Sequence, residues 1–421
     1  MYKTYTLANK AQIILAPQQD TQAVTVMVMY PVGSRYESEK LSGVSHYIEH
    51  LMFKGTKKRK NTQILMREID RLGAQYNAFT GKEYTGYYIK TDRVYVKTAL
   101  DILSDMLFGS IFDPKEMERE KGPIIEEIRM YNDNPMMNIE TIFEELLFAG
   151  CPLGRDIAGT VEHVKSYKRD DVLAYKEKYY QPSNMKIVIA GNVDEKTEAL
   201  VESYFGEEKD TRKPIQTYKP ATFGSVVKKD RLVIQQKPTD QAQLMIGFPA
   251  FDYNAKENPA VAIMSSILGG SMSSRLFIQI RERRGLAYMI NMGRETLRDT
   301  GYVYVRAGLD PKNIGKAINV VKSEIEKFIT KGISKRELQD AKTHVRGALT
   351  LAQENSSFGA NWYAKEALFA RNMQTPEQYV QALESVTEEE VVAVAKNIFK
   401  LTQMRVAIIG DAQEKDILKH L

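Results

Sequence analysis

The chain has little cysteine, no long apolar run and no strong excess of one charge, and each shortage excludes a class of protein. Its 421 residues include one cysteine, Cys151, so neither an internal disulfide nor a cysteine metal cage can form. No apolar run approaches the ~18–20 residues of a membrane span. The first fifteen residues lack the apolar core and the small-residue cleavage site of a signal peptide. We therefore predict a cytoplasmic protein with no membrane partner.

The charge balance is nearly even, because 59 Lys and Arg face 54 Asp and Glu, for a net charge of +5. The densest basic run, Lys57–Lys60, is short and has no interleaved aromatic residues, so a solvated loop explains it equally well. We predict no nucleic-acid partner. With 43% apolar and 27% charged residues, the composition is that of a soluble globular protein, and the length predicts two or three domains.

A weak internal repeat relates the two halves of the chain. When the sequence is shifted by 219 positions, identical residues coincide in three separate segments. The coinciding residues are Met185/Met404, Ile189/Ile408, Gly191/Gly410, Glu195/Glu414, Lys196/Lys415, Val172/Val391, Ala174/Ala393, Gln22/Gln241 and Ala23/Ala242. Chance explains one such segment easily but explains three at one shift poorly, so an internal duplication is indicated.

Each half also has the same order of elements, in which the hydrophobic period switches between two and 3.6. The first half has strands at Val24–Met29 and Lys186–Ala190 and helices at Val44–Phe53 and Val96–Phe108, and the second has strands at Leu244–Phe248 and Arg405–Ile409 and helices at Ala260–Leu268 and Ile314–Ile329. We predict an α+β protein of two homologous sandwich domains, each a mostly antiparallel sheet packed by helices. The predicted domains are residues 1–208 and 229–421. The predicted linker, 209–228, has no sustained period and contains two prolines.

The strongest local signal is the segment HYIEH, His46–His50. On a helix it would bury an apolar stripe and leave His46, Glu49 and His50 on the opposite side. Histidines at i and i+4 can reach one metal ion, and Glu49 would lie where it can contact the metal's water without being a ligand. The chain has only five histidines, so chance placement is a weak explanation. A solvated polar face is the alternative.

A catalytic zinc ion needs a third protein ligand and an open position for water. No other histidine has suitable spacing, so a carboxylate is the expected third ligand. A helix start is predicted at Asp113-Pro114, and beyond it Glu120 and Glu127 lie seven residues apart on one helical face. Glu127 is a plausible third ligand and Glu120 a residue that orients one of the ligands. Solvated glutamates are common on helices, so spacing alone leaves this open.

With its flanking residues, HYIEHLMFKGT resembles the inverted zinc motif HxxEH of the pitrilysin family of metallopeptidases, the inverzincins. In that family a glutamate about 77 positions after the second histidine is the third ligand, which corresponds to Glu127, and a further glutamate seven residues earlier corresponds to Glu120. The family's NAFT segment is also present, at residues 77–80. The resemblance covers both halves and is greatest to the short bacterial and mitochondrial-processing branch.

The resemblance implies one zinc ion per chain, bound by His46, His50 and Glu127, with Glu49 as general base. It implies substrate contacts from the strand around Asn77, Ala78 and Phe79. One departure is Pro123, which stands where the family usually has an aliphatic residue inside the helix. Because proline removes an amide donor and tends to kink a helix, it could displace Glu127.

The second half carries no equivalent metal motif, because the shift of 219 places Ser265, Leu268 and Gly269 where the first half has its histidines and glutamate. It contains IRERRGLAY instead, with Arg281 and Tyr288 seven residues apart. In the family an arginine and a tyrosine at this spacing face the zinc and contact substrate. Surface charge and half-buried packing are the alternative roles for this pair.

The predicted function is therefore a zinc-dependent endopeptidase that acts on peptides or unfolded segments. Zinc would polarise the scissile carbonyl and lower the pKa of its water, and Glu49 would take up the proton. Arg281 and Tyr288 would stabilise the tetrahedral intermediate. The resemblance also implies a homodimer that encloses a chamber. Two alternatives stay open: a non-catalytic structural relative, and one subunit of a heterodimeric processing peptidase.

Overall fold

The computed structural model describes residues 2–211, 218–223 and 226–421, so parts of the predicted linker, 212–217 and 224–225, lie outside the described residues. The strands are β1 (Lys3–Thr6), β2 (Gln12–Pro17), β3 (Ala23–Tyr30), β4 (Gln75–Thr80), β5 (Thr85–Asp92), β6 (Lys186–Gly191), β7 (Leu232–Gln235), β8 (Ala242–Ala250), β9 (Ala287–Thr296), β10 (Gly301–Leu309) and β11 (Arg405–Ile409).

Most of the chain between these strands is helical. The helices are α1 (Val44–Leu51), α2 (Thr62–Arg71), α3 (Val96–Gly109), α4 (Pro114–Asp133), α5 (Pro135–Leu147), α6 (Val161–Ser166), α7 (Arg169–Tyr179), α8 (Glu195–Phe205), α9 (Asn258–Gly269), α10 (Ile314–Lys331), α11 (Lys335–Gln353), α12 (Ser356–Phe369), α13 (Pro376–Ser385), α14 (Glu388–Ile398) and α15 (Glu414–Leu418). Every strand and helix predicted above is present, with ends that differ by at most two residues, so these predictions are confirmed.

The chain forms two compact units. The first unit comprises Met1–Arg129, Arg155–Tyr218 and Leu351–Thr375, and the second comprises Met130–Gly154, Lys219–Thr350 and Pro376–Leu421. Neither unit is continuous in the sequence, because each takes in one segment from the other half. The predicted domain boundaries at 208 and 229 therefore do not coincide with the limits of these compact units, and they stay a prediction.

The two units contain sheets of the same topology. The first sheet has the order β1-β2-β6-β3-β5-β4 and the second the order β7-β11-β8-β10-β9. In each sheet one pair of neighbours is parallel, β2 with β6 and β7 with β11, and the other pairs are antiparallel. The second sheet therefore repeats the first without β1. This confirms the predicted α+β class, with two related, mostly antiparallel sheets packed by helices.

The segments exchanged between the halves carry equivalent helices. Helix α12 packs on β2, β3 and β6 of the first sheet, and α5 packs on β7, β8 and β11 of the second. The shift of 219 that relates the halves also relates α5 to α12. Each half thus supplies the helix that covers one face of the other half's sheet. The arrangement is like domain swapping, except that the equivalent helices are exchanged within one chain and not between protomers.

Helix α5 is an integral part of the second unit's core. Phe143 is fully buried, and its ring lies 5.6 Å from the ring of Tyr302 on β10. The ring fits because residue 247 on β8 is glycine: a Cβ there would lie 2.2 Å from Phe143 Cζ. The apolar face of α5 is therefore matched in shape to this sheet.

The basic run Lys57–Lys60 is partly internal to the first unit. Arg59 is 6% exposed and donates to Asp105, Asp101 and Glu68 at 2.6–2.9 Å. Lys58 donates to Asp101 at 2.8 Å. Part of the densest run of positive charge thus holds a loop against α2 and α3.

Among the described residues, no helix is both long enough and apolar enough to cross a bilayer.

We predict that Phe143→Ala destabilises the second unit, although residue 143 lies in the half of the sequence that forms most of the first. Removing this buried ring should cost about 3–5 kcal/mol, because the cavity is bounded by a rigid sheet. Amide hydrogen exchange read by mass spectrometry should speed up in β8 and β11. Leu103→Ala in α3, which is packed in the core of the first unit, is the control and should act on β3 and β5. If Phe143→Ala instead speeds amide hydrogen exchange in β3 and β5, the assignment of α5 to the second unit is contradicted.

Candidate metal centre

Helix α1 places the candidate ligands by burying its opposite side. Its apolar stripe is fully buried in the first unit's core, at Val44, Tyr47, Ile48 and Leu51. Gly43 precedes the helix with φ = +91°, and a Cβ at this position would lie 2.3 Å from the Ala158 carbonyl oxygen. Only glycine meets both demands. The polar side of α1 then presents His46, Glu49 and His50.

A buried carboxylate holds the start of α1. Glu37 accepts hydrogen bonds from the backbone amides of Gly43 at 2.7 Å and Ser45 at 2.8 Å, two donors that the helix itself cannot satisfy. Burial raises the pKa of Glu37 to about 7, against the opposing effect of these two amides. The metal-facing helix is thus fixed at its first turn by a residue outside it.

Helix α4 brings the carboxylates to the histidines. The Tyr47 hydroxyl donates to the Met117 carbonyl at 2.6 Å and joins α1 to α4. The helix continues through Pro123, which is exposed, and the carbonyl released at Arg119 is on an exposed residue that water can reach. Pro123 therefore does not break the helix between Glu120 and Glu127.

The three candidate ligands converge. Glu127 Oε2 lies 3.3 Å from His50 Nε2 and 3.7 Å from His46 Nε2. One ligand atom from each residue lies within 4.8 Å of the others, and this is the one such group found among the described residues. Zinc binds nitrogen and oxygen at about 2.0–2.2 Å, so two ligands of a tetrahedral ion lie about 3.3–3.5 Å apart. The residues present therefore fit a zinc ion after small adjustments.

The three ligands have different charge states in the metal-free protein. Burial, together with the neighbouring His50, lowers the pKa of His46 to about 4, so its ring is neutral and offers a lone pair. Burial acts to lower the pKa of His50 as well, but its hydrogen bonds to Glu120 and Glu127 outweigh this and raise the pKa to about 9. The hydrogen bond with His50 lowers the pKa of Glu127. Metal binding would replace the His50 proton that faces Glu127.

Glu120 orients His50 and is itself held by a lysine. Its Oε1 lies 3.0 Å from His50 Nδ1, and its Oε2 lies 2.6 Å from Lys54 Nζ. Burial acts to raise the pKa of Glu120, but the hydrogen bonds from His50 and Lys54 give a net lowering. An ionised carboxylate only accepts, so Nδ1 of His50 is the donor and Nε2 is left for a metal.

Glu49 is next to the ligands but is bonded elsewhere. The Thr80 hydroxyl donates to Glu49 Oε2 at 2.5 Å. Burial raises the pKa of Glu49, with the Thr80 hydrogen bond opposing. A half-buried carboxylate of raised pKa beside a metal site is suited to accept a proton.

The predicted substrate strand is β4, an edge strand paired with β5. Asn77 is exposed, Ala78 is buried and Phe79 is half-buried with its ring edge-on to Tyr84 at 5.9 Å. The strand packs beside α1 in the first unit. No described strand pairs with its outer edge, which lies close to the candidate metal site.

Arg281 and Tyr288 lie together in the second unit. Arg281 belongs to a π-helix, Phe277–Glu282, a rare backbone form that is frequent at functional sites. Its guanidinium carbon lies 4.9 Å from the centroid of the Phe277 ring and 5.2 Å from that of Tyr288. Tyr288 is 75% exposed. The pair is thus a half-buried cation close to two aromatic rings, one of them largely exposed.

The second unit has no room for an equivalent metal site at the positions related by the repeat. A Cβ at Gly269 would lie 2.6 Å from the Cβ of Met292 on β9, so α9 packs directly against that strand. Leu268 is fully buried and Ser265 is 7% exposed. Packing of α9 against β9 therefore occupies the positions that correspond to the candidate ligands.

Sequence reasoning missed Lys54, Thr80 and Glu37. Lys54 follows His50 by four residues, which is the spacing of one helical face, and Thr80 ends the NAFT segment, so both carried a usable signal. Glu37 carried none, because it reaches the helix from a preceding loop.

Comparisons with known proteins agree with this arrangement. Residues 12–161 match a family model described as insulinase (peptidase family M16), and residues 166–345 match one described as peptidase M16 inactive domain. The three candidate ligands lie in the first of these ranges. The second range contains Arg281 and Tyr288.

Relatives match nearly the whole chain. The uncharacterized zinc protease YmxG of Bacillus subtilis is 31% identical over 399 residues, covering 95% of this chain and 96% of that protein. An uncharacterized zinc protease of Streptomyces coelicolor is 30% identical over 413 residues, covering 97% and 90%. A protease from Helicobacter pylori shares the fold, with a TM-score of 0.91, 24% identity and coverage of 98% and 99%.

We predict that Glu37→Gln changes how stability depends on pH. Because the pKa of Glu37 in the folded protein, about 7, lies above its ordinary 4.5, the folded state binds the proton more tightly. The stabilisation is complete below pH 4.5 and is lost as the pH rises through 7. The difference in unfolding free energy between wild type and variant should fall by roughly 3 kcal/mol across this range. Urea unfolding at a series of pH values tests this, and a constant difference would contradict it.

We predict that Glu120→Gln weakens zinc binding about 10–100-fold, because an amide fixes the His50 ring less firmly than a carboxylate does. Competition with a chromophoric chelator measures the change. Glu126→Gln is the matched control, since Glu126 is on the same helix but is exposed and paired with Arg129 at 2.5 Å. Equal zinc affinity in the two variants would contradict the assignment of Glu120.

Proposed function

Because the chain belongs to the insulinase family, peptidase family M16, we propose that it is a zinc-dependent endopeptidase acting on peptides or unfolded segments. The observation that carries the proposal is the convergence of His46, His50 and Glu127 beside Glu49, which is not a ligand. The relatives named as zinc proteases support the choice of metal and reaction.

Each of these residues would have a separate role in peptide hydrolysis. When bound by His46, His50 and Glu127, zinc supplies the Lewis acidity that polarises a scissile carbonyl and makes water more acidic. Glu49 accepts the proton of the attacking water and then donates it to the leaving amine. Its raised pKa makes it a stronger base than an exposed glutamate. Glu120 keeps His50 in the orientation that the ligand set requires.

The remaining predicted residues contact the substrate. The free edge of β4, with Asn77, Ala78 and Phe79, would take an extended segment by adding it as a strand. Arg281 would bind a peptide carbonyl or carboxylate, and Tyr288 would donate to the developing oxyanion. Association of two copies is part of the same proposal, and equilibrium sedimentation of the purified chain tests it.

The alternative is a chain that keeps the fold without catalysis. The description "inactive domain" applies to residues 166–345, whereas the candidate ligands lie in residues 12–161. The complete ligand set therefore favours catalysis. Zinc content separates the two readings, because a structural relative would be isolated without stoichiometric metal. A zinc-containing chain that neither self-associates nor hydrolyses peptides alone would instead support one subunit of a heterodimer.

We predict that Glu49→Gln keeps zinc and abolishes hydrolysis, because the amide cannot accept the proton of water. Removal of a general base is expected to lower kcat by about 10²–10⁴-fold. The assay uses a mixed peptide library, with and without a chelator, read by mass spectrometry. Wild-type turnover in Glu49→Gln, or hydrolysis that resists the chelator, would refute the proposed mechanism.

A further inference from the structure

The Thr80 hydroxyl holds one oxygen of the proposed general base. Its 2.5 Å contact with Glu49 Oε2 is a short O–H···O hydrogen bond, in which the hydroxyl donates. This leaves Oε1 of Glu49 free for a water molecule. Thr80 is itself neither a candidate metal ligand nor the proposed proton acceptor.

Thr80 belongs to the strand edge that is proposed to take the substrate. It is the last residue of β4 and pairs with Thr85 on β5. The turn that follows is fixed by hydrogen bonds, from the Gly81 amide to the Tyr84 carbonyl at 2.8 Å and from the Ser34 amide to the Gly81 carbonyl at 3.3 Å. Within the described part of the chain no strand pairs with the other edge of β4, and Gln75, Tyr76 and Asn77 on this strand are exposed.

We propose that Thr80 is a positioning residue that couples occupation of the β4 edge by an extended peptide to the alignment of Glu49. The inference rests on the proposed function. A peptide that adds as a strand would bond to the backbone of β4 and so set the exact position of that backbone, including residue 80. Threonine is branched at Cβ and has few side-chain conformations, so its hydroxyl follows its backbone closely. The carboxylate of Glu49 would in turn follow the hydroxyl.

This coupling predicts how the rate depends on peptide length. Residues of the peptide that lie along β4, away from the scissile bond, would contribute binding energy that aligns the base. Longer peptides should then have a higher kcat, not only a lower KM. A small misalignment of a catalytic group can cost about 10²-fold in rate, which sets the scale of the effect.

The test is a comparison of Thr80→Val, which keeps the shape without the hydroxyl, with Thr80→Ser, which keeps the hydroxyl. In Thr80→Val we expect kcat to fall about 10–100-fold and to lose its dependence on peptide length. We expect Thr80→Ser to restore both. Should Thr80→Val fail to fold, Thr80→Ala takes its place with the same expected outcomes.

Two measurements that do not depend on activity accompany the kinetics. Zinc affinity should be unchanged in Thr80→Val, since Thr80 has no bond to the three candidate ligands among its described contacts. The affinity of metal-free protein for a fluorescent peptide, read by anisotropy, should not fall, because the variant no longer uses binding energy to align the base. Together they show that the hydroxyl acts on the base and not on the metal or on binding.

Each other outcome counts against the proposal. Unchanged kcat and unchanged length dependence in Thr80→Val overturn it, and so does an equal loss in Thr80→Val and Thr80→Ser, which would assign Thr80 to packing. Failure of the proposed function gives a different result. Hydrolysis would then survive in Glu49→Gln, or the wild-type chain would show no hydrolysis at all.

Discussion

The site depends on holding two helices in register although the residues that join them lie 70 positions apart in the sequence. Helix α1 carries two imidazoles and α4 carries the carboxylates, and neither helix alone offers a complete set of ligands. The Tyr47 hydroxyl bonded to the Met117 carbonyl joins them at one point, and Lys54 and His50 bonded to Glu120 join them at another. Because Tyr47 is fully buried in the apolar core, the same packing that stabilises α1 also sets the position of the ligands.

The duplicated fold explains how one unit can carry the metal candidates while the other does not. Both sheets have the same order and the same single parallel pair, so the architecture tolerates either state. In the second unit, Gly269 lets α9 approach Met292 closely, which removes the space that a pair of imidazoles would need. In the first unit, the side of α1 that faces the site bears polar groups.

The sequence predicted much of the site because its signals are local. The i, i+4 histidines and the seven-residue spacing of Glu120 and Glu127 are properties of single helices, and single helices follow from short-range periodicity. The structure adds Lys54 and Thr80 to this set. It also adds Glu37, whose contact with α1 crosses a loop, and no periodic pattern extends across a loop. Pro123 is a case where the sequence rule was too strict: proline predicts a kink, but at this exposed position the helix continues past it.

By itself, the sequence determined the elements, the repeat, the fold class and the residues that are candidates to bind metal. These follow from composition and from spacing along the chain, which do not depend on distant contacts. Only the tertiary structure decided that α5 and α12 change places between the two units. Both sheets present an equivalent apolar face, so either helix has a suitable partner in either half. The choice between them depends on the path of the chain in space, and on details such as the room that Gly247 leaves for Phe143.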